Sequence, residues 1–345
     1  MTKQIFVGGV PIGGGAPISI QSMCNTKTEN VEETVAQIHR LEQAGCEIIR
    51  VAVPNLEAAQ AIRQIKKQIT IPLVADIHFD WRLAIAAAQA GADKIRINPG
   101  NIGGEDRVKA VAESCKQQKI PIRIGVNGGS LEKGLLEKYG GVTAEALVES
   151  ALNEINQLRK WNFEDICISV KTTSVPLTIA ACRLLHEQTE YPLHIGVTES
   201  GTPQMGLIKS AMGIGGLLCL GIGDTIRVSL TADPVEEVLA AKRILQAAGC
   251  RKSGPELISC PTCGRTQIDL IGLAKEVERR LSACSKEITV AVMGCVVNGP
   301  GEASAADVGI AGGTDTGMLF CKGKPVKTVP QYALVDELMA LIDTL

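Results

Sequence analysis

Aromatic side chains are scarce in this sequence: two tryptophans, three tyrosines and four phenylalanines among 345 residues, 3% in all. That argues against a stacking platform for single-stranded nucleic acid, which relies on aromatic faces. An excess of one charge is lacking too. Thirty-five basic and 37 acidic residues leave a formal net charge of −2, so no global basic field attracts a polyanion such as DNA. No apolar run reaches the ~20 residues that span a bilayer, and the opening "MTKQIFVGGV" contains no long apolar core of a signal peptide. The expectation is a soluble, cytoplasmic protein with neither a nucleic-acid nor a membrane partner.

What is present is ordinary globular material with unusual punctuation. Apolar residues make up 45% and charged residues 21%, enough for sizeable cores, and the length suggests two domains rather than one. Twelve cysteines in such a chain are expected to be reduced thiols. Cys115 and Cys182 fall in helical patterns and Cys167 lies inside "ICISVK", positions suited to small buried hydrophobes.

Through residue 250 a β-branched run, a polar turn and an amphipathic helix recur. The strand candidates are "PISIQS", "IIRVAV", "PLVADIH", "KIRINPG", "PIRIGVN", "ICISVK", "LHIGVT" and "TIRVSL". Helical spacing fills the intervals, as in "VEETVAQIHRLEQAG" and "TAEALVESALNEINQLRK". Eight such units in roughly 250 residues predict a (β/α)₈ barrel of the TIM type. An open, doubly wound sheet is the competing arrangement, because alternation alone does not prove closure. The leading "IFVGGVPIGGGAPI" reads as a Gly-rich hairpin able to cap the barrel floor.

Side-chain parity along these strands carries more information. Ile95 and Ile97 share one face and Arg96 the other; Ile122, Ile124 and Val126 oppose Arg123 and Asn127. The same alternation isolates Arg50, Lys171, Arg227 and Ser229, and it sets Asp76 and His78 opposite Leu73, Ala75 and Ile77. In a barrel one face packs on the helices and the other points into the lumen. Arg50, Arg96, Arg123, Lys171 and Arg227 in a lumen need anions, since buried unpaired cations are costly. Asp76 and Glu199 are too few to supply them. An anionic ligand at the mouth is implied, and five cations suit a diphosphate better than one carboxylate. An internal ion-pair lattice is the bland alternative. The segment "GIGGLLCLGIGDTIRVSL" adds glycines near the last strands, a usual phosphate position in this architecture.

The alternation breaks at "QAAGCRKSGPE", which predicts domains 1–252 and 253–345, the second a small α+β unit. It holds a C-x-x-C, Cys260 and Cys263, and a further cysteine, Cys295, that leads into an Asn-Gly-Pro-Gly turn. Three thiols at such spacing suit a metal centre that lacks a fourth ligand. Cys284 continues the buried stripe of Leu270, Leu273, Val277 and Leu281 and reads as core; Cys321 reads as a strand cysteine. Glu302, on the loop after Cys295, is either a solvated charge or an oxygen ligand.

Taken together, "SCPTCGR", "VMGCVVNGPGEA", "IRVAVP", "IRINPGN", "IRIGVNGGSLE", "ISVKTT" and "GVTESG" resemble the 4-hydroxy-3-methylbut-2-enyl diphosphate synthases of the non-mevalonate isoprenoid pathway, in their compact two-domain form. The resemblance runs along essentially the whole chain. It implies a [4Fe–4S] cluster held by Cys260, Cys263 and Cys295 with Glu302 as the exchangeable carboxylate ligand. It also implies reductive ring opening and dehydroxylation of 2-C-methyl-D-erythritol 2,4-cyclodiphosphate. Arg50, Arg96, Arg123, Asn127, Lys171, Arg227 and Ser229 would hold the diphosphate, and Glu199 in "VTESG" would be the acid, with Asp76 and His78 as helpers. Flavodoxin or ferredoxin would donate electrons, and the enzyme would be a homodimer. Two other readings compete: a phosphate-binding lyase or aldolase carrying a structural zinc domain, and a non-catalytic electron carrier. The lumen cations count against the carrier, which has no use for them.

Overall fold

The computed structural model describes residues 1–252, 254–295 and 305–345. They form two compact units, Met1–Arg251 and Lys252–Leu345. The first opens with an antiparallel hairpin, β1 (Ile5–Val7) and β2 (Val10–Ile12). Gly8 turns it with a positive φ of 56°, and a Cβ there would press on Pro72 and Asp93. Ile5, Val7 and Ile12 pack with Ile48, Val74 and Cys167 in a cluster separate from the main core. The hairpin therefore closes the barrel floor, as its sequence suggested.

Eight parallel strands follow: β3 (Ser19–Met23), β4 (Ile48–Ala52), β5 (Leu73–Asp76), β6 (Lys94–Ile97), β7 (Ile122–Asn127), β8 (Ile166–Lys171), β9 (His194–Ile195) and β10 (Thr225–Ile226). Their order is β8-β7-β6-β5-β4-β3-β10-β9. A parallel bridge between Ile168 and Leu193 joins the two ends, with the Ile168 N–H donating to the Pro192 carbonyl at 2.9 Å. The sheet is a barrel, and the open alternative is set aside.

The helices owe their limits to local chemistry. Asn30 caps Val31–Ala44 by accepting from the Glu33 N–H, and Gly45 ends it in the left-handed conformation at φ 105°. Asn55 and Thr143 cap Leu56–Lys66 and Ala144–Arg159 in the same way. The outward strand residues Ile49, Val51, Ile95, Ile97, Ile122 and Ile124 join the core against these helices. Cys115, Cys167 and Cys182 are buried, as their patterns foretold. The last two barrel strands are shorter than their sequences promised. Beyond Ile195 the chain leaves the ladder, so that the Thr198 N–H donates to the Thr172 carbonyl at 3.2 Å.

The second unit is a mixed sheet in the order β11 (Glu256–Ser259), β12 (Thr289–Met293), β13 (Val308–Gly312), β14 (Thr316–Cys321) and β15 (Lys324–Pro330). The first two pairings are parallel and the last two antiparallel. Helices Leu270–Leu281 and Leu334–Asp343 cover one face through Val277, Leu281, Leu334 and Leu338, which meet Val290, Val292, Val308 and Ile310. Cys284 packs, partly buried, against this core, and Cys321 ends β14. Strand β15, "KPVKTVP", escaped the sequence reading because its lysines and prolines resemble a loop. Those residues are suited to an exposed edge strand, where they discourage further pairing.

Candidate functional site

The even parity of β3 to β10 delivers one polar residue after another to the mouth of the barrel. Arg50, Arg96, Arg123, Asn127, Lys171, Arg227 and Ser229, all expected from the sequence, line a single cavity of about 240 Å³. Asp76 and His78 line it as well, as do Met23, Gly125, Ser169 and Thr198. Two glycines make room for the cations. A Cβ at Gly125 would lie 2.8 Å from Arg96 Nε, and one at Gly196 would lie 2.7 Å from Lys171 Nζ.

Few acceptors face these cations. Arg96 Nη1 donates to Asp76 Oδ1 at 3.0 Å, while Arg50 Nε lies 3.8 Å from Asp76 Oδ2. Arg50 also donates through Nε and Nη2 to the Met23 sulfur at 3.1 and 2.8 Å, a weak acceptor. Arg227 Nη2 meets Glu237 Oε2 at 3.5 Å, and Glu237 Oε1 accepts the Leu230 N–H. Arg123 is 3% exposed, and its Nε and Nη1 have no hydrogen-bond partner. Among the described residues five cations thus face two carboxylates, a surplus of three.

The titration of these groups registers the imbalance. Burial pushes Arg50 down to about 10, with Arg227 and Arg96 repelling and Asp76 offsetting part of the shift. Burial, then the neighbouring cations, also pushes Arg123 and Lys171 well below their ordinary values. Burial would raise Asp76, but Arg50, Arg96 and Arg123 prevail and hold it at about 2. Arg50, Arg123 and Lys171 are destabilised as cations where they stand, and an anion in the cavity would relieve all three together.

Asp76 is accordingly a structural counter-ion. Asp76→Asn is expected to lower the unfolding free energy by about 3 kcal/mol, because two guanidiniums lose their buried partner. The difference should be full above pH 3.8, the unfolded value, and shrink as pH falls toward 2. Urea unfolding at neutral and acid pH measures it; an unchanged neutral midpoint would refute this role.

Glu199 is placed differently from the cation set. It is exposed and does not line the cavity, although its neighbour Thr198 does. Its backbone is left-handed, at φ 50°, which a glutamate adopts only under constraint. The constraint is visible: Ser200 Oγ donates to the Ser229 carbonyl, and the Thr231 N–H donates to the Gly201 carbonyl at 3.0 Å. Glu237 was missed in the sequence, yet a signal existed. It falls on the buried stripe of Pro234–Ala247 with Val238, Ala241 and Leu245, where a lone carboxylate needs a cation. Nothing in the sequence marked Met23.

A larger cavity, about 960 Å³, lies near the strand N-termini, lined by Lys3, Arg159, Glu164, His186 and Tyr191 among others. Two of its cations, Lys3 and Arg159, lie 3.8 and 3.3 Å from Glu164.

In the second unit Cys260 follows β11 and Cys295 follows the adjacent parallel β12. The Gly294 N–H donates to Cys260 Sγ at 3.2 Å, which ties these two strand ends together. Cys263 is exposed, and its N–H donates to Thr266 Oγ1 at 3.2 Å. Backbone and then side-chain hydrogen bonds from Arg265 lower its thiol from the ordinary value, favouring thiolate. Among the described residues no three metal-ligating side chains converge into a coordinating group. Glu302 lies outside the described residues.

Fold and lumen together define a two-unit protein: a closed (β/α)₈ barrel with a cation-rich mouth, followed by an α+β unit bearing a C-x-x-C and a further cysteine at the end of the adjacent strand. Residues 2–242 match the GcpE TIM-barrel domain and residues 256–344 the GcpE protein C-terminal domain, so the chain belongs to the GcpE family. It is 61% identical over 343 residues to the 4-hydroxy-3-methylbut-2-en-1-yl diphosphate synthase (flavodoxin) of Caldanaerobacter subterraneus subsp. tengcongensis, covering 99% of this chain and 97% of that protein. The enzyme of the same name from Clostridium perfringens is 58% identical over 344 residues, covering 100% and 99%. Among solved structures, Yersinia pestis dihydropteroate synthase aligns with a TM-score of 0.52 at 14% identity, covering 73% of this chain and all of that one. That likeness concerns the barrel fold alone.

Proposed function

We propose that this chain catalyses the reductive ring opening and dehydroxylation of 2-C-methyl-D-erythritol 2,4-cyclodiphosphate to 4-hydroxy-3-methylbut-2-enyl diphosphate, a step of isoprenoid precursor biosynthesis. It is an iron–sulfur oxidoreductase of the non-mevalonate pathway. The observation that carries the reading is Arg123, buried with two unpartnered guanidinium nitrogens in the lining of a cavity with surplus positive charge. A diphosphate brings the negative charge and acceptor oxygens that these cations lack.

The reaction breaks a C–O bond to phosphate and a C–OH bond and forms a C=C bond. Two electrons enter, one proton leaves with the hydroxyl as water, and the freed phosphate gains a negative charge. Arg50, Arg96, Arg123, Lys171 and Arg227 are in place to stabilise that charge as it develops, and Asn127 and Ser229 to fix the diphosphate's orientation. Glu199, held in a strained turn beside the mouth, would give its proton to the departing hydroxyl. Asp76 and His78, 3.7 Å apart, assist by ordering the guanidiniums.

Cys260, Cys263 and Cys295, with Glu302, would hold a [4Fe–4S] cluster. The donor set fits: soft thiolates suit iron–sulfur ligation, and the N–H on Cys260 Sγ is a typical device for tuning such a centre. When bound, the cluster supplies the electrons of the reduction. Flavodoxin, which appears in the relatives' names, is the donor we propose, with ferredoxin as the alternative. A homodimer and a cytoplasmic location belong to the same proposal; no helix of the described residues is long and apolar enough to cross a membrane.

Anaerobic purification tests this directly. Brown protein with about four irons and matching sulfide is expected, converting the cyclic diphosphate when reduced flavodoxin is supplied. Colourless, zinc-loaded protein would exclude it. In the same assay Glu199→Gln is expected to lower kcat by roughly 10²–10⁴ with little change in substrate affinity. Wild-type kcat in that variant would remove Glu199 from the acid role.

A further inference from the structure

Residues two positions before several that line the mouth share their lumen-facing parity and lie one level deeper. Under Arg50 and Asp76 these are Ile48 and Val74, and under Ser169 it is Cys167; all three meet the floor hairpin. The remaining sector of this level is polar. Gln21 lies under Met23, Lys94 under Arg96, His194 under Gly196 and Thr225 under Arg227. Ser19, Thr225 and His194 stand in direct register across β3, β10 and β9. All are buried, Lys94 completely.

This level is poor in partners. Among the described residues Lys94 Nζ reaches only Gln21 Oε1, at 3.5 Å, and has no carboxylate within ion-pair distance. Gln21 Nε2, both His194 ring nitrogens, Ser19 Oγ and Thr225 Oγ1 have none. The groups that face Lys94 are Gln21 from β3, Arg50 from β4, Arg123 from β7, the Cys167 thiol from β8 and His194 from β9. A lone ammonium therefore sits beneath the cation-rich mouth, with the Arg50 and Arg123 guanidiniums above it and only the neutral Gln21, Cys167 and His194 around it.

We propose that Lys94 is a positioning residue of the anion grip, a sixth cation set one level below it, which in alkaline solution gains its proton when the diphosphate binds above and releases it when the ligand leaves. This rests on the reading of the lumen as the diphosphate site. The titration of the groups agrees with it. Burial first, then repulsion by Arg123 and Arg50, brings Lys94 down to about 8, close enough to neutrality for a ligand's charge to reprotonate it. His194 is pushed well below its ordinary value by burial and then by Lys171, Arg123, Lys94 and Arg50, so it stays neutral throughout. Because the ligand favours the protonated form, affinity should be greatest below the ligand-free value of Lys94 and fall as pH rises beyond it.

The test is calorimetric titration of the holoenzyme with the cyclic diphosphate, without reductant and therefore without turnover. Two buffers of different ionisation enthalpy are used at about pH 7 and about pH 9. Each phosphorus of this ligand carries one ester and one anhydride bridge, which leaves a single strongly acidic oxygen that exchanges no proton in that range, so uptake belongs to the protein. Wild type should take up about one more proton per ligand at the higher pH, with affinity weakening by up to about tenfold per pH unit. Lys94→Met should lose that increment and flatten the slope; Lys94→Gln serves if the methionine variant does not fold. An increment and slope unchanged in the variant would overturn the proposal and assign the uptake to Lys171, whose value is also depressed. A uniform loss of affinity at both pH values would overturn it too, leaving Lys94 a merely structural part. Arg123→Ala, run alongside, separates the two ideas: if it binds the ligand as wild type does, the lumen reading itself is wrong.

Discussion

Arg123→Ala is expected to weaken binding of the cyclic diphosphate by roughly a hundredfold to a few thousandfold while leaving cluster iron unchanged. The magnitude follows from removing one partner of a fully desolvated charge contact, which costs on the order of 3–5 kcal/mol, at about 1.4 kcal/mol for each factor of ten. The variant should not lose stability in proportion. Arg123 is buried without partners in the ligand-free protein, so its removal relieves a desolvation penalty that offsets the cavity it leaves. Affinity measured by calorimetry, iron analysis and a urea midpoint on the same preparation separate these effects. Unchanged affinity would sink the lumen argument; a collapsed urea midpoint would make Arg123 a fold residue instead.

The second large effect concerns the cysteines and Glu302. Cys295→Ala is expected to abolish the cluster and with it all measurable turnover, since a soft anchor at the end of β12 is lost. Glu302→Ala should behave otherwise. Three thiolates remain to retain most of the iron, yet turnover should fall by at least about a hundredfold, a loss at the upper end of those seen when a metal's supporting ligands are removed. A carboxylate is a harder and more exchangeable ligand than a thiolate, which is why a substrate-binding centre would use one. Iron content and the EPR spectrum of reduced protein, with and without substrate, distinguish the two variants. Full iron in Cys295→Ala, or normal turnover in Glu302→Ala, would contradict the assignment.

The lumen cations were legible in the sequence because a strand's side chains alternate with a period of two. "KIRIN" and "PIRIGVN" display their arginines against isoleucines whatever the surrounding fold. The same periodicity placed Lys94 on the lumen face but could not show that no carboxylate meets it, since that depends on what the other strands present. Glu237 was hidden for the converse reason: its helix stripe announced burial, while its partner Arg227 is chosen by how Pro234–Ala247 lies on the barrel. Strand β15 was missed because an exposed edge strand carries no apolar alternation to read.

Local pattern therefore determined the elements, the polarity of each strand face, the cysteine spacing and the family to which they belong. These are properties of residues two to four apart, and backbone geometry alone converts them into faces. Closure through the Ile168–Leu193 bridge, the surplus of three positive charges, the unpartnered Arg123 and the left-handed turn at Glu199 were decided by tertiary structure. Each is a balance among groups tens of residues apart, and only packing brings those groups close enough, and far enough from water, for the balance to matter.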